Sequence, residues 1–402
     1  MRLGKRMLCP WLSLATGRSR WIGEFPNSMR VLIASLIFLI SLSPRVSQAA
    51  VDRPPQLVAI AFDNCTELER WSEIEQLLQK KNTDQPRMHF TFFVSGTNFL
   101  SELTRAKYQG PRHQPGYAMI NFGGSPRDVE ARVAYINRLH ATGNEIASHA
   151  VGHFAGGHDG ANWTRDEWRR EFASFNALFD NVKSNNAIAA SGFSFHSDRI
   201  VGFRAPLLSV NQAMYEVLHE FHYRYDTSLP DEKAVDTWPR RDPRGTWLFK
   251  LARIPIAGTR GPATTLSMDY NICGSQMQAR GGRADCETAL LDQEEVQALG
   301  KEMMETYRNY FRQNYMGNRA PIHLGHHFYA FQHGIYNKVL LTFAQEICAV
   351  PETLCVSYSK LADFMDKWDA TVLAAYQRGD FDREGLQAPK LNIAPFQLAP
   401  TR

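Results

Sequence analysis

Apolar positions along this chain switch repeatedly between two periods, two and 3.6. Gln56-Leu-Val-Ala-Ile-Ala-Phe62 is a continuous apolar run of strand type that stops at the polar cluster Asp63-Asn64-Cys65-Thr66. A helical stripe follows on Leu68, Trp71, Ile74, Leu77 and Leu78, and then a second strand over Met88-His-Phe-Thr-Phe-Phe-Val94. Ser125-Pro126 reads as an N-cap with proline at the first helical position, leading Val129, Val133, Ile136 and Leu139 to Gly143. A short strand comes next and delivers His149 and His153. Thr164-Arg-Asp-Glu167 is a capping-box pattern opening a helix with Trp168, Phe172, Phe175 and Phe179 on one face. Ile200–Phe203 is a strand ending in Arg204-Ala-Pro206, a helix follows on Met214, Val217, Leu218 and Phe221, and Tyr225-Asp226 ends the next short strand. Trp247 to Ile256 reads as one strand and Asp292 to Asn314 as a long helix. Pro321-Ile-His-Leu-Gly-His-His327 is strand-like, and Cys355-Val-Ser-Tyr358 leads into a helix through Leu361, Phe364 and Trp368. The tail after Asp369 shows no strong pattern.

Strands alternating with helices, with polar clusters at the C-terminal strand ends, predict an α/β domain of barrel type that places its chemistry at one mouth. Residues 1–49 do not read as fold. Val31–Leu42 is an apolar run too short for a comfortable span, where about 20 residues are needed. It follows Arg30 and precedes Ser47-Gln-Ala49, a small-x-small cleavage site, so a signal peptide is expected over 1–49, with Met29 a candidate true start. An uncleaved anchor or a buried helix is the alternative.

The leader also distorts the charge. Of 45 Lys/Arg and 41 Asp/Glu, seven and one fall before Ala50, leaving 38 basic against 40 acidic residues. That balance gives no electrostatic reason to expect nucleic acid or an anionic membrane as partner. No stable membrane span is expected after cleavage, and the destination is secreted or periplasmic. Cys273 with Cys286, and Cys348 with Cys355, are close enough to close loops in an oxidising compartment, which leaves Cys65 over.

The strand ends collect Asp63, Asn64, His149, His153, Arg204, Asp226 and His327. Imidazoles four residues apart can share a divalent ion, although such a pair alone is weak evidence. Six motifs lie in register: Ala61-Phe-Asp-Asn64, Thr91-Phe-Phe-Val-Ser95, Glu145-Ile-Ala-Ser-His149 with His153, Phe203-Arg-Ala-Pro206, Tyr225-Asp-Thr-Ser228 and Leu324-Gly-His-His327. In order and spacing they resemble the NodB-type polysaccharide deacetylases, and are most similar to the chitin deacetylase branch, from about Val58 to Trp368. The resemblance implies a distorted (β/α)7 barrel in a single domain with long loop insertions, over residues 56–370, followed by a tail over 371–402.

It also implies hydrolysis of N-acetyl groups on a GlcNAc-containing polysaccharide or oligosaccharide, with a divalent metal, zinc first and cobalt or manganese as alternatives. Asn64, His149 and His153 are then the metal ligands. Asp63 is the general base, Arg204 holds it ionised through a bidentate contact, and His327 is the general acid. Asp226 is expected to fix the tautomer of His327 or raise its pKa. The backbone N–H of Leu207 is expected at the oxyanion.

Each residue has a plainer reading: Asp63 as a helix cap, Arg204 in a surface ion pair, Asp226 as a turn residue. Strand alternation puts His327 on the face opposite His326, so a register error of one would swap the acid. Trp238, Trp247, Phe328 and Tyr329 fit sugar stacking or core. Two departures from the family stand out. Asn64 replaces the usual second aspartate, giving a neutral ligand, and Ala150 replaces a serine or threonine whose hydroxyl would brace the loop. The rival reading is therefore a non-catalytic glycan-binding protein with a weakened metal site. An O-acetyl esterase is a third.

Overall fold

The computed structural model describes residues 51–81, 88–189, 191–231, 236–258, 263–282, 285–287 and 291–391. The expected signal peptide over 1–49 lies outside the described residues. The strands are β1 Gln56–Asp63, β2 Thr91–Val94, β3 Glu145–Ser148, β4 Gly202–Phe203, β5 Tyr225–Asp226 and β6 Pro230–Asp231. They continue with β7 Arg240–Arg241, β8 Trp247–Leu248, β9 Leu251–Pro255, β10 Thr264–Leu266, β11 Ile322–His327 and β12 Thr353–Cys355.

The main sheet runs β11-β1-β2-β3-β4-β5-β8-β7, with β12 also on β1. Seven strands in a row, β11 through β8, are parallel, and β7 returns antiparallel. The sheet curls into a half-barrel, and β8 and β11 do not pair with each other among the described residues. A second sheet, β10-β9-β6, is tied to β11 by the bridge Met268–Gly325.

Alternation explains why β1 is apolar from Leu57 to Phe62. Leu57, Ala59 and Ala61 pack inward with Phe93, Ala147, Tyr225, Phe249 and Tyr358, whereas Val58, Ile60 and Phe62 pack outward with Trp71, Phe92 and Phe328 under the helices. Both faces are buried, and the two polar residues stand at the strand's ends, Asp63 and Gln56, the latter buried with its Nε2 donating to the Ala320 carbonyl at 3.0 Å. Helix starts follow local chemistry. Capping boxes pair Ser125 with Asp128, Thr164 with Glu167 and Asp292 with Glu295, opening the helices Pro126–Ala141, Arg165–Asp180 and Gln293–Met316. Each cap contributes about 1 kcal/mol.

Two expectations need correction. The stretch Trp247–Ile256 is two strands in two sheets: β8 ends its ladder where Phe249 N–H donates to Asp226, Lys250 is exposed, and β9 starts against β6. The tail is ordered beyond 370. Asp369 accepts from Thr371 and Val372 N–H to start a helix Ala370–Arg378, Gly379 ends it at φ 73°, and buried Phe381 bridges Val51. The compact unit therefore runs past both expected domain boundaries.

The bridges Cys273–Cys286 and Cys348–Cys355 form as expected, and Cys65 is a buried free thiol. Among the described residues no helix is long and apolar enough to cross a membrane.

Candidate active site

Inward parity carries Asp63, His149, Arg204 and His327 to the same mouth of the half-barrel. Asp63 and His327 are paired residues at the ends of the adjacent parallel strands β1 and β11. That register places a carboxylate beside an imidazole. His326 faces the other way, against Tyr307 OH at 2.8 Å and Asn337 Oδ1 at 3.5 Å, so His327 is the one of the two on the face of Asp63.

Arg204 is fully buried, and its guanidinium is shared three ways. Nη1 donates to Asp63 Oδ1 at 2.8 Å, Nε to Thr227 Oγ1 at 2.7 Å, and Nη2 to Tyr358 OH at 3.5 Å. The Phe93 ring lies 4.4 Å below it. The expected bidentate fork is thus a single hydrogen bond, because the other nitrogens serve Thr227 and Tyr358. The plain reading as a surface ion pair is excluded, since Asp63 is 2% exposed and Arg204 0%. Breaking a pair this deeply buried costs several kcal/mol, about 3–5 for loss of one partner.

His149 and His153 face one another with ring centroids 5.3 Å apart. Both follow β3 rather than lying in it. Ala150 and His153 take left-handed φ of 52° and 54°, a conformation that non-glycine residues hold only when their surroundings impose it. Glu171, from the helix Arg165–Asp180, supplies the restraint: its Oε1 accepts from Val151 and Gly152 N–H at 3.0 Å each, and Tyr108 OH donates to its Oε2 at 2.8 Å. A buried carboxylate therefore braces the loop where Ala150 has no hydroxyl to do so.

Burial lowers the pKa of His149 despite Asp63 nearby, and burial with the neighbouring His149 lowers that of His153 to about 3. His149 Nδ1 sits 2.8 Å from the Arg204 carbonyl oxygen, which can only accept, so Nδ1 carries the proton and Nε2 keeps its lone pair. This is how metal-binding histidines are oriented. Asn64 takes φ 56°, and its Oδ1 accepts from Ser95 Oγ at 3.2 Å, retaining a second lone pair. The expected ligands Asn64, His149 and His153 would offer two neutral imidazoles and one neutral amide oxygen. Such a set suits a divalent ion that accepts nitrogen and oxygen ligands, held less firmly than with a carboxylate. Among the described residues no three His, Cys, Asp or Glu gather at metal-binding distances.

His327 is oriented by Asp269, not Asp226. Asp269 Oδ1 lies 2.7 Å from His327 Nδ1, and Oδ2 accepts the His327 backbone N–H at 2.9 Å. Burial opposes the imidazolium, but the Asp269 charge and hydrogen bond, aided by Asp63, outweigh it and raise the His327 pKa. Asp269 is lowered in turn: burial pushes it up, and His327 and His326 more than offset that. Asp226 fails for a reason of parity. Tyr225 packs into the barrel, so Asp226 points to the helix side, where it binds Ser228 Oγ and Tyr215 OH, and burial raises it to about 6. Its effect on the site is indirect, through Ser228 Oγ, which accepts from Ala205 N–H at 2.7 Å.

Leu207 is 53% exposed at φ 55°. Of the candidate stacking residues, Trp238, Trp247 and Phe328 are core, while Tyr329 is 49% exposed. Tyr270, unmarked in the sequence, is 43% exposed with its ring 6.5 Å from that of His327.

No protein-family model matches the chain. Chitin deacetylase 1 of Bombyx mori is 23% identical over 256 residues, 61% of this chain and 44% of that protein, so the chain spans less than half the length of this relative. Among solved structures, a Mycobacterium smegmatis protein assigned as a polysaccharide deacetylase superposes with a TM-score of 0.44 at 15% identity, covering 87% of this chain and 98% of that one. A family 4 carbohydrate esterase of Streptomyces lividans gives 0.27 at 11% identity, over 43% and 62%. A pseudoenzyme of the same family from Bacillus anthracis gives 0.25 at 13%, over 43% of each chain. The chain thus resembles the NodB-type polysaccharide deacetylases in sequence, and its curled sheet of parallel strands is the architecture that resemblance implies.

Proposed function

We propose that this chain is an exported, metal-dependent N-deacetylase acting on a GlcNAc-containing polysaccharide or oligosaccharide. The observation that carries the reading is the pairing of Asp63 with His327 across β1 and β11, the first anchored by Arg204 and the second by Asp269. A binding module has no use for a carboxylate beside an imidazole whose pKa is raised by its own aspartate.

Asp63 accepts the proton of a water attacking the acetyl carbon, while Arg204 keeps its carboxylate in place. The Leu207 N–H donates to the oxygen that gains charge. His327, its proton held by Asp269, donates to the departing amine nitrogen, which is a poor leaving group until protonated. His149 and His153, with Asn64 Oδ1, would hold the divalent ion, zinc first. When bound, such an ion supplies an electrophile for the amide oxygen and lowers the pKa of nearby water to about 7. Two disulfides among the described residues favour an oxidising compartment and hence export.

The test is acetate release from chitooligosaccharides by the purified protein, with metal content measured before and after chelation. Chelator-sensitive release that is absent in His149→Ala is expected. Release that survives both treatments overturns the metal role. The glycan-binding reading is favoured by one observation, the neutral Asn64 in a donor set without a carboxylate; oligosaccharide binding with neither metal nor turnover on several N-acetylated polymers would establish it.

A further inference from the structure

A cavity of about 590 Å³ lies between β8 and β11, on the unclosed side of the half-barrel. Its walls come from β6, β7, the end of β8 and the start of β11. At the barrel end lies His323, four residues before His327 on the same strand and face, and so about 13 Å from the proton donor. His323 is 3% exposed, its ring lies parallel to Tyr358 at 5.6 Å, and its Nδ1 has no hydrogen-bond partner. A buried polar atom without a partner is destabilising and calls for an explanation.

The charges around the cavity are asymmetric in availability. Arg241 is already bound to Asp366 and lies over Trp247, and Asp242 Oδ1 accepts the N–H groups of Arg244 and Thr246. Asp231 is buried and lies close enough to His323 to raise its pKa against the dominant effect of burial. Arg240 and Lys250, both exposed at the rim, make no ion pair among the described residues. Pro239 and Leu248 supply apolar wall between rim and floor. The volume is that of a small-molecule site.

We propose that this cavity is a second ligand site, for a small ring-bearing organic acid of one to two sugar units. The carboxylate binds Arg240 and Lys250 at the rim, the ring lies along Pro239 and Leu248, and a hydroxyl meets His323 Nδ1. This site does not depend on the deacetylase reading. Tyr358 touches both His323 and, through its hydroxyl, Arg204, so an occupant here also borders the group that anchors Asp63.

The experiment is titration calorimetry of the full chain with glucuronate, glucose and inorganic phosphate. Glucuronate is expected to bind at least tenfold more tightly than either of the others. The double variant Arg240→Ala/Lys250→Ala, which changes only exposed side chains, should weaken it by tenfold or more. His323→Phe should also weaken it severalfold, and its thermal melt separates loss of the site from loss of the fold. Glucuronate binding no tighter than glucose, or unchanged in the double variant, overturns the proposal. Phosphate binding as tightly as glucuronate would reduce the cavity to a simple anion site and overturn the ligand class.

Discussion

The two imidazole stations of the mouth are built in opposite ways. His149 and His153 sit on a left-handed loop, pinned by a backbone carbonyl and by Glu171 acting on neighbouring amides, and burial keeps both rings neutral. His327 sits at the end of a regular strand, pinned by a carboxylate that keeps its proton on. Rings with lowered pKa favour offering lone pairs and a ring with raised pKa favours holding a proton, so one residue type is tuned in opposite directions according to what its Nδ1 touches. Between the stations, Asp63 answers to both through Arg204 and its strand neighbour His327.

That contrast can be broken in stages. Asp63→Asn removes the proton acceptor common to both and should lower kcat about 10³-fold with the fold retained, as read by circular dichroism and acetate release. Wild-type turnover in this variant would mean that the base lies elsewhere.

Asp269→Asn strikes the charged station alone. It should lower kcat roughly tenfold to a hundredfold and shift the alkaline limb of the pH profile to lower pH, as His327 falls back toward about 6.5. The stability effect has a definite window. Asp269 is depressed and His327 is raised, so their pairing contributes fully between about pH 4 and 6.5. It fades as pH falls through the lowered Asp269 value or rises through the raised His327 value. Melting curves across pH should show the variant weakest relative to wild type inside that window; an alkaline limb that does not move would remove Asp269 from its role.

Asn64→Asp acts on the neutral station by adding a charged oxygen, and should tighten divalent metal binding by about tenfold, measured by competition with a chelating dye. Weaker binding would show that residue 64 is not a ligand. Smallest in expected effect is Glu171→Gln, which keeps the shape of the brace and removes its charge. Metal affinity should fall severalfold to about tenfold while kcat at saturating metal stays near wild type. A proportionate loss of kcat with no change in affinity would place Glu171 in another role.

What the residues disclosed in advance was local. The apolar run Leu57–Phe62 of β1, the capping boxes at Ser125, Thr164 and Asp292, and the alternation separating His326 from His327 each depend on neighbours within a few positions. Asp269 was not legible. It opens a helix, Asp269–Ala279, whose buried face mixes Asp269, Gly274 and Gln276 with apolar residues, so no stripe announces it, and its partner lies 58 positions away. Asp226 misled because its place at a strand end mimics that of Asp63, whereas its parity is reversed relative to Tyr225. Glu171 looked like an ordinary polar residue between Trp168 and Phe172; only the loop folded over it gives it meaning. The helix after Asp369 did carry readable signals, an aspartate cap and Gly379 at its end, in a stretch expected to be unpatterned.

Because β11 docks on β1 from nearly the other end of the described chain, proton acceptor and proton donor become neighbours only when that seam zips shut. A ribosome-bound chain lacking its last quarter holds Asp63, Arg204 and both loop histidines yet has nothing to protonate a leaving group. On the proposed mechanism, hydrolytic competence is therefore acquired late in folding, when β11 joins β1.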